Sequence, residues 1–252
     1  MTSNPREWDA PAYDALPLPH LAWGRGVLDR AALVGHERVL DAGCGTGRDA
    51  AALLERHPDV DLVVLDGSRR MLEAARGKLG ARATYVHADL ARPLPTDGPL
   101  GLPVDVVVSV AAFHWLPDHD ALFTHLAAVL APGGRLVSDC GGRGNVAAVD
   151  RAVVQVLGRD AATPWHFAGP DETRRSLTRA GFDVADVRLR PDPFHCPDPA
   201  VLERYLATVV LGAHLEGLEA AEAATVVREV RLALPAPVVD YVRLEVEASL
   251  PA

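Results

Sequence analysis

The sequence predicts an α/β fold, a mainly parallel sheet with helices on both faces, extended by a helical cap. Three observations predict it. Short apolar runs alternate with segments of helical spacing from about residue 36 to 140, the order that builds parallel sheets through crossover helices. The runs at 61–66 (DLVVLD) and 104–110 (VDVVVSV) are nearly unbroken in apolar residues, as in strands covered on both faces. A glycine-rich turn at 43–47 (GCGTG) joins the first run to the first helical segment, and open α/β sheets bind ligands at such turns.

The elements follow in order. Residues 38–42 (RVLDA) form a short strand that ends in the glycine turn. Residues 47–56 carry Ala51, Leu53 and Leu54 at helical spacing, and His57-Pro58 ends that helix. The strand at 61–66 leads into a helix at 69–79, which Gly80 stops. Residues 83–87 form a third strand. Pro93, Pro95, Pro99 and Pro103 mark a long loop before the strand at 104–110. A helix at 120–130 reaches Pro132-Gly133-Gly134, a sharp stop before a strand at 135–139. Beyond it the pattern turns mostly helical, at 147–157, 171–180, 201–210 and 218–232, with alternating strands at 182–189 and 241–246. The last two strands are expected to make an antiparallel edge, and the helices between them a lid over the strand C-termini. The segment before residue 36 reads as irregular or helical, with Trp8, Tyr13 and Trp23. The expected organisation is one domain: 1–35 an N-terminal lid, 36–140 the ligand-binding core, 141–252 the cap helices and last strands.

Composition limits the function. The chain has 252 residues, 49% of them hydrophobic, enough for a sizeable core. Its net charge is -9 and its one lysine is Lys78, so a nucleic-acid partner, which needs clustered cations, is not expected. The pairs Arg69-Arg70 and Arg174-Arg175 read as solvated helix faces. Cys44, Cys140 and Cys196 include no C-x-x-C pair, which argues against a disulfide scaffold or a zinc site. The N-terminus is polar and no window offers about 18 consecutive apolar residues, so neither a signal peptide nor a membrane span is expected. A cytoplasmic enzyme fits these limits.

The glycine turn carries the chemistry. It reads G-x-G-x-G, and Arg48 stands where the dinucleotide fingerprint G-x-G-x-x-G needs its last glycine. Asp41 sits just before the turn, where a carboxylate repels a diphosphate and suits an ammonium group. Asp66, 19 residues after Gly47, is placed to accept ribose hydroxyls, in NAD as in other nucleosides. Asp89, after the third strand, suits an adenine amino group.

Leu40–Gly47 (LDAGCGTG), LDGS at 65–68, ADL at 88–90 and LAPGGRLV at 130–137 together resemble the motifs of class I S-adenosylmethionine (SAM)-dependent methyltransferases, in order and spacing. The resemblance implies a Rossmann-like seven-stranded, mainly parallel sheet whose seventh strand is antiparallel. It implies SAM as methyl donor and S-adenosylhomocysteine (SAH) as product. It implies that Asp41, Gly43 and Gly45 line the methionine portion, Asp66 and Gly67 the ribose, and Asp89 and Leu90 the adenine, with Met71 beside them. A closer resemblance, to the trans-aconitate methyltransferase-like group, rests on Trp8-Asp9 with Tyr13, on the run from Ala111 to His119 (AAFHWLPDH), and on Gly144-Asn145. It implies that Tyr13 closes the SAM pocket and that Ala111 and His114 face the methyl group and the acceptor. The sequence departs from that group at 141–145 (GGRGN) and through most of the cap.

The expected function is methyl transfer to a small molecule, with a carboxyl oxygen as first acceptor. A carboxylate needs no base. For a phenol, amine or carbon acid that needs one, His114 is the candidate; otherwise it is a packed pocket residue. Trp115 reads as pocket wall. Asp118-His119-Asp120 reads as a helix cap and not a metal site. Trp165-His166 either touches the acceptor or seals the cap, and His195-Cys196 is structural. The alternatives are a tRNA- or protein-modifying methyltransferase, a non-catalytic SAM-binding protein and an NAD-dependent oxidoreductase.

Overall fold

A computed structural model of the chain describes residue 7 and residues 20–101, 103–158 and 165–252. The chain enters through helix α1 (His20–Ala31), in the segment whose sequence left helix and irregular structure open. Then come β1 (Arg38–Ala42), α2 (Arg48–Arg56), β2 (Asp61–Asp66), α3 (Arg69–Leu79) and β3 (Thr84–His87), all within a residue of their expected bounds. β4 (Val104–Val110) leads to a short 3-10 turn (Phe113–Trp115), α4 (His119–Ala127) and β5 (Leu130–Gly141). The C-terminal part holds α5 (Ala147–Leu157), α6 (Pro170–Arg179), β6 (Asp183–Pro191), β7 (Phe194–His195) and α7 (Pro199–Tyr205). It ends with a π turn (Leu206–Val210), α8 (Ala220–Ala233), β8 (Val238–Val239) and β9 (Val242–Ser249).

Seven strands form one sheet in the order β3-β2-β1-β4-β5-β9-β6, and β7 pairs separately with β8. β1 to β5 are mutually parallel, and β9 is antiparallel to both β5 and β6. The last two strands form the expected antiparallel pair at the edge of the sheet. β9 inserts between β5 and β6, which leaves β6 as the edge, parallel to the first five.

The continuous apolar runs have a direct cause. Leu40, Val63, Leu65 and Val107 face one side, against Leu122, Phe123 and Leu126 of α4 and Leu177 of α6. Val39, Leu62, Val64 and Val106 face the other, against α1, α2 and α3. Each fully buried Leu or Val contributes roughly 1.5–3 kcal/mol, so both faces must be apolar. A third cluster joins α5, α7, the π turn and α8 around Val149, Leu206 and Val230; this is the cap.

Two expectations need correction. The Pro132-Gly133-Gly134 stop is a bulge inside β5: pairing with β4 jumps from Val104↔Leu130 to Val106↔Arg135, and Gly133 takes φ 72°. α4 therefore ends at Ala127, not 130. The helix expected over 201–210 changes at Leu206 from α to π winding.

Candidate active site

A cleft of about 780 Å3 opens at the C-terminal ends of β1, β2 and β4, within the usual size range of ligand pockets. The glycine turn forms its floor. Gly43 and Cys44 donate their N–H groups to the Leu65 carbonyl at 2.8 and 3.0 Å, which pulls the turn over the end of β2. Gly43 has φ 82°, and a Cβ there would stand 2.4 Å from Ala112 Cβ, so only glycine fits. A Cβ on Gly45 would meet nothing within 4 Å; that residue faces open cleft.

Three carboxylates surround the turn. Asp41 is buried, and its Oδ2 has no hydrogen-bond partner among the described residues. Burial first, then the charges of Asp49 and Asp66, hold its carboxyl well above the usual range. Asp49 behaves alike, pushed to about 6 mainly by burial. Asp66 accepts from Gly45 N at 2.9 Å and Ser68 N at 2.8 Å, and each oxygen keeps lone-pair capacity for another donor. At the start of α3, Glu7 accepts from Ser68 Oγ at 2.8 Å and Arg69 N at 3.1 Å.

The opposite wall is built by β4, β5, β9, α1 and the cap. Ala111 ends β4 in left-handed conformation, φ 56°, its N–H held by the Asp139 carbonyl at 2.7 Å. That conformation costs a non-glycine residue about 1–2 kcal/mol, and it turns the chain so that His114 follows along the cleft. His114 Nδ1 accepts from Gly141 N at 3.3 Å, and its carbonyl accepts from His166 N at 2.8 Å. Burial, Arg243 and His119 together lower its pKa to about 3, so the ring is neutral. With Nδ1 accepting, the proton sits on Nε2.

Arg243, 1% exposed, comes from β9. Its Nε donates to Asp139 Oδ1 at 2.6 Å, and its Cζ lies 3.6 Å from the Trp23 ring centre. Its Nη2 has no acceptor among the described residues. Asn145 Oδ1 accepts from Val242 N at 2.9 Å, which ties the start of β9 to the loop after β5. Trp165 and Phe167 stack at 5.5 Å and 19°, and Trp115 meets Trp165 edge-on at 5.9 Å.

Of the residues expected at the site, Asp41, Gly43, Gly45, Asp66 and Gly67 line the cleft, with Met71, Asp89 and Leu90. Ala111 and His114 line it from the other side. Tyr13 and Trp8 lie outside the described residues. Trp115 is indeed wall. Asp118 caps α4 by accepting from Ala121 N. Trp165 faces the cleft, while His166 seals the cap, its Nε2 on Glu172 at 2.9 Å. His20, Trp23, Tyr241 and Arg243 also line the cleft and were not anticipated. Their one sequence signal was a charged residue in the alternating run YVRLEV, which reads as a solvent-facing position.

The donor set fits SAM. Asp41 has a buried oxygen with no partner among the described residues, suited to a cation, Asp66 has spare acceptor capacity, and Gly45 leaves space beside it.

Comparison with known proteins agrees. Residues 39–134 match the family described as "Methyltransferase domain". Trans-aconitate 2-methyltransferase of Rhizobium etli is 35% identical over 184 residues, 73% of this chain and 63% of that protein. The enzyme of that name from Acidovorax sp. (strain JS42) is 35% identical over 130 residues, 52% of this chain and 48% of that protein. The chain thus spans about half the length of most of the curated relatives it matches. A putative methyltransferase from Bacillus halodurans superposes with TM-score 0.64 at 19% identity, covering 92% of this chain and all (100%) of that one. Mycolic acid cyclopropane synthase, complexed with SAH and CTAB, superposes with TM-score 0.66 at 14% identity, covering 96% and 95%. Sheet order and solved structures agree on a class I methyltransferase fold, and in sequence the chain is similar, through its glycine turn and the residues that follow it, to the methyltransferase domain family and to the trans-aconitate 2-methyltransferases.

Proposed function

We propose that the chain transfers the methyl group of SAM to a carboxyl oxygen of a small organic acid. The observation that carries this reading is the state of His114. Its Nδ1 is occupied by the Gly141 N–H, its Nε2 carries the proton, and burial keeps it neutral. It is therefore a hydrogen-bond donor and has no site to take a proton. His20, on the same side, is also pushed well below its usual pKa, mainly by burial. An acceptor that arrives already anionic needs neither as a base.

SAM supplies an electrophilic methyl carbon on sulfonium; a carboxylate oxygen bonds to it, the carbon–sulfur pair stays on sulfur, and no proton moves. The protein's part is to bind, orient and exclude water. Asp41 would take the ammonium group, Asp66 the ribose hydroxyls, and Asp89 with Leu90 the adenine. In this reading residues 36–140 bind the cofactor and 141–252 close over the acceptor, while α1 packs on the sheet and the lid expected around Tyr13 falls outside the described residues. A small acceptor, and no nucleic acid, suits a cleft whose deepest cation, Arg243, is 1% exposed. Action in the cytoplasm suits three free, buried cysteines. No helix among the described residues is long and apolar enough to cross a membrane.

The test is to incubate the protein with methyl-labelled SAM and a panel of small acids, phenols and amines. Label that mild alkali releases as methanol is expected, since esters hydrolyse. Label that resists alkali would assign a phenol or amine acceptor and overturn the carboxyl reading.

A further inference from the structure

We propose that Arg243 anchors the acceptor's carboxylate, and that the acceptor is an acid with one carboxylate on a flat, apolar body. This rests on the methyl-transfer reading and adds the residue that selects the substrate.

The guanidinium is oriented before any ligand arrives. Asp139 Oδ1 holds Nε at 2.6 Å, and the Trp23 ring covers one face at 3.6 Å. Trp23 is itself fixed, because its Nε1 donates to Asp192 and its ring meets Tyr241 edge-on at 5.0 Å. What remains is Nη2, buried and without an acceptor among the described residues, on a side chain that lines the cleft. An arginine fork matches a carboxylate in both charge and shape. Asp139 does not fully neutralise this cation, because its other oxygen lies 3.7 Å from Arg190 Nη2. His114 adds a second donor on the same wall, its Nε2–H, close enough to feel the charge of Arg243.

The number of carboxylates follows from what else faces the cleft. Among the described residues its two arginines are Arg48 and Arg243. Arg48 opens α2 beside the glycine turn, so Arg243 is the arginine of the opposite wall. Among the described residues that wall also carries Trp115, Trp165, Phe167 and Val210, with Glu216, and its remaining polar groups, His20, His114, Asn145 and Tyr241, bring no second arginine. Second and third carboxylates would lie against aromatic rings and an acidic side chain, buried without a cation. A flat apolar body instead meets the aromatic wall of Trp115, Trp165 and Phe167. The inference thus departs from trans-aconitate, the tricarboxylate named in the relatives. It also explains turnover: the methyl ester is uncharged and loses its hold on Arg243.

Binding can be read from quenching of tryptophan fluorescence, since Trp23, Trp115 and Trp165 line the cleft. The probes are 3-phenylpropanoate, its uncharged amide and trans-aconitate, each titrated with and without saturating SAH. The wild-type protein is expected to bind 3-phenylpropanoate at least tenfold more tightly than the amide and more tightly than trans-aconitate. Arg243→Met should lose that preference, with SAH affinity held within twofold. Should Arg243→Met fail to fold, Arg243→Lys retains a cation for Asp139 and removes the fork, and should bind the acid several-fold more weakly. Equal binding of acid and amide by the wild type would overturn the anchor. Tighter binding of trans-aconitate would overturn the single carboxylate. Absence of SAH binding would sink the methyl-transfer reading separately, because the acid-to-amide ratio is also measured without it.

Discussion

At the scale of single residues, the cleft is held in a state that anticipates its ligand. Asp41 has a buried carboxyl oxygen with no partner among the described residues, and burial raises its pKa. A bound ammonium group would favour the ionised form and lower that pKa again. Binding of SAH should therefore release protons, and the calorimetric binding enthalpy should vary with the ionisation heat of the buffer. Asp41→Asn should abolish that variation and weaken SAH by about 10- to 100-fold, the usual range for a hydrogen bond to a charged group. A buffer-independent enthalpy in the wild type would remove Asp41 from the ammonium role. Asp66 has a double duty, because Gly45 N–H and Ser68 N–H both depend on it. Asp66→Ala should weaken SAH and also lower the unfolding free energy by about 1–3 kcal/mol, read by urea titration without ligand; unchanged stability would show that water replaces the carboxylate. These residues were legible in the sequence because one turn carries most of them. Arg243 and Trp23 were not. They come from opposite ends of the chain, and nothing local marks an arginine as inward-facing.

At the scale of elements, local signals located nearly every strand and helix of the core, because each begins or ends on turn chemistry. Ser68 caps α3 through Met71 N, and Gly80 ends it at φ 60°. The misread elements are those where tertiary contacts outweigh the local pattern. β9 alternates as a half-exposed strand does, yet its polar face is buried. Glu245 there pairs with Arg188 and Arg190 at 2.7 Å and with Arg30 of α1 at 3.5 Å. The same contrast between local and tertiary demand separates two glycines. Gly77 lies exposed inside α3, and a Cβ would meet nothing within 4 Å. Gly77→Ala should stabilise the protein by about 0.5–1 kcal/mol through helix propensity alone. Gly47 has φ 74°, and its Cβ would stand 3.0 Å from Ala75 Cβ on α3. Gly47→Ala should destabilise by about 1–2 kcal/mol from the left-handed backbone, with the contact to α3 adding to it. Urea midpoints of the two variants should move in opposite directions; a common direction would mean that packing at Gly47 relaxes or that α3 frays at Gly77.

At the scale of the whole molecule, burying so many titratable groups around one cleft ties stability to pH through opposing terms. His114 titrates near its ordinary 6.5 when unfolded and at about 3 when folded. Between those values the unfolded chain binds a proton that the folded chain refuses. Its contribution is complete above 6.5 and is lost as pH falls, by up to about 1.4 kcal/mol per pH unit. Asp49 acts the other way. Its folded value is about 6 against an ordinary 3.8, so between those values the folded chain keeps a proton that the unfolded chain has lost, and stability rises as pH falls through that window. The net curve mixes these and other groups, so one term must be isolated by difference. His114→Gln keeps an amide oxygen to accept from Gly141 N–H and removes the titration. The stability advantage of wild type over His114→Gln should shrink by about 1 kcal/mol or more per unit between pH 6 and 4, measured by urea unfolding at each pH. A gap that stays constant over that range would mean that His114 titrates alike in both states, and the ring would then have to be wet and free to take a proton. That outcome would reopen general-base chemistry and acceptors other than carboxylates. A shrinking gap fixes the ring as a neutral donor, and leaves the acceptor to bring its own negative charge into the cleft.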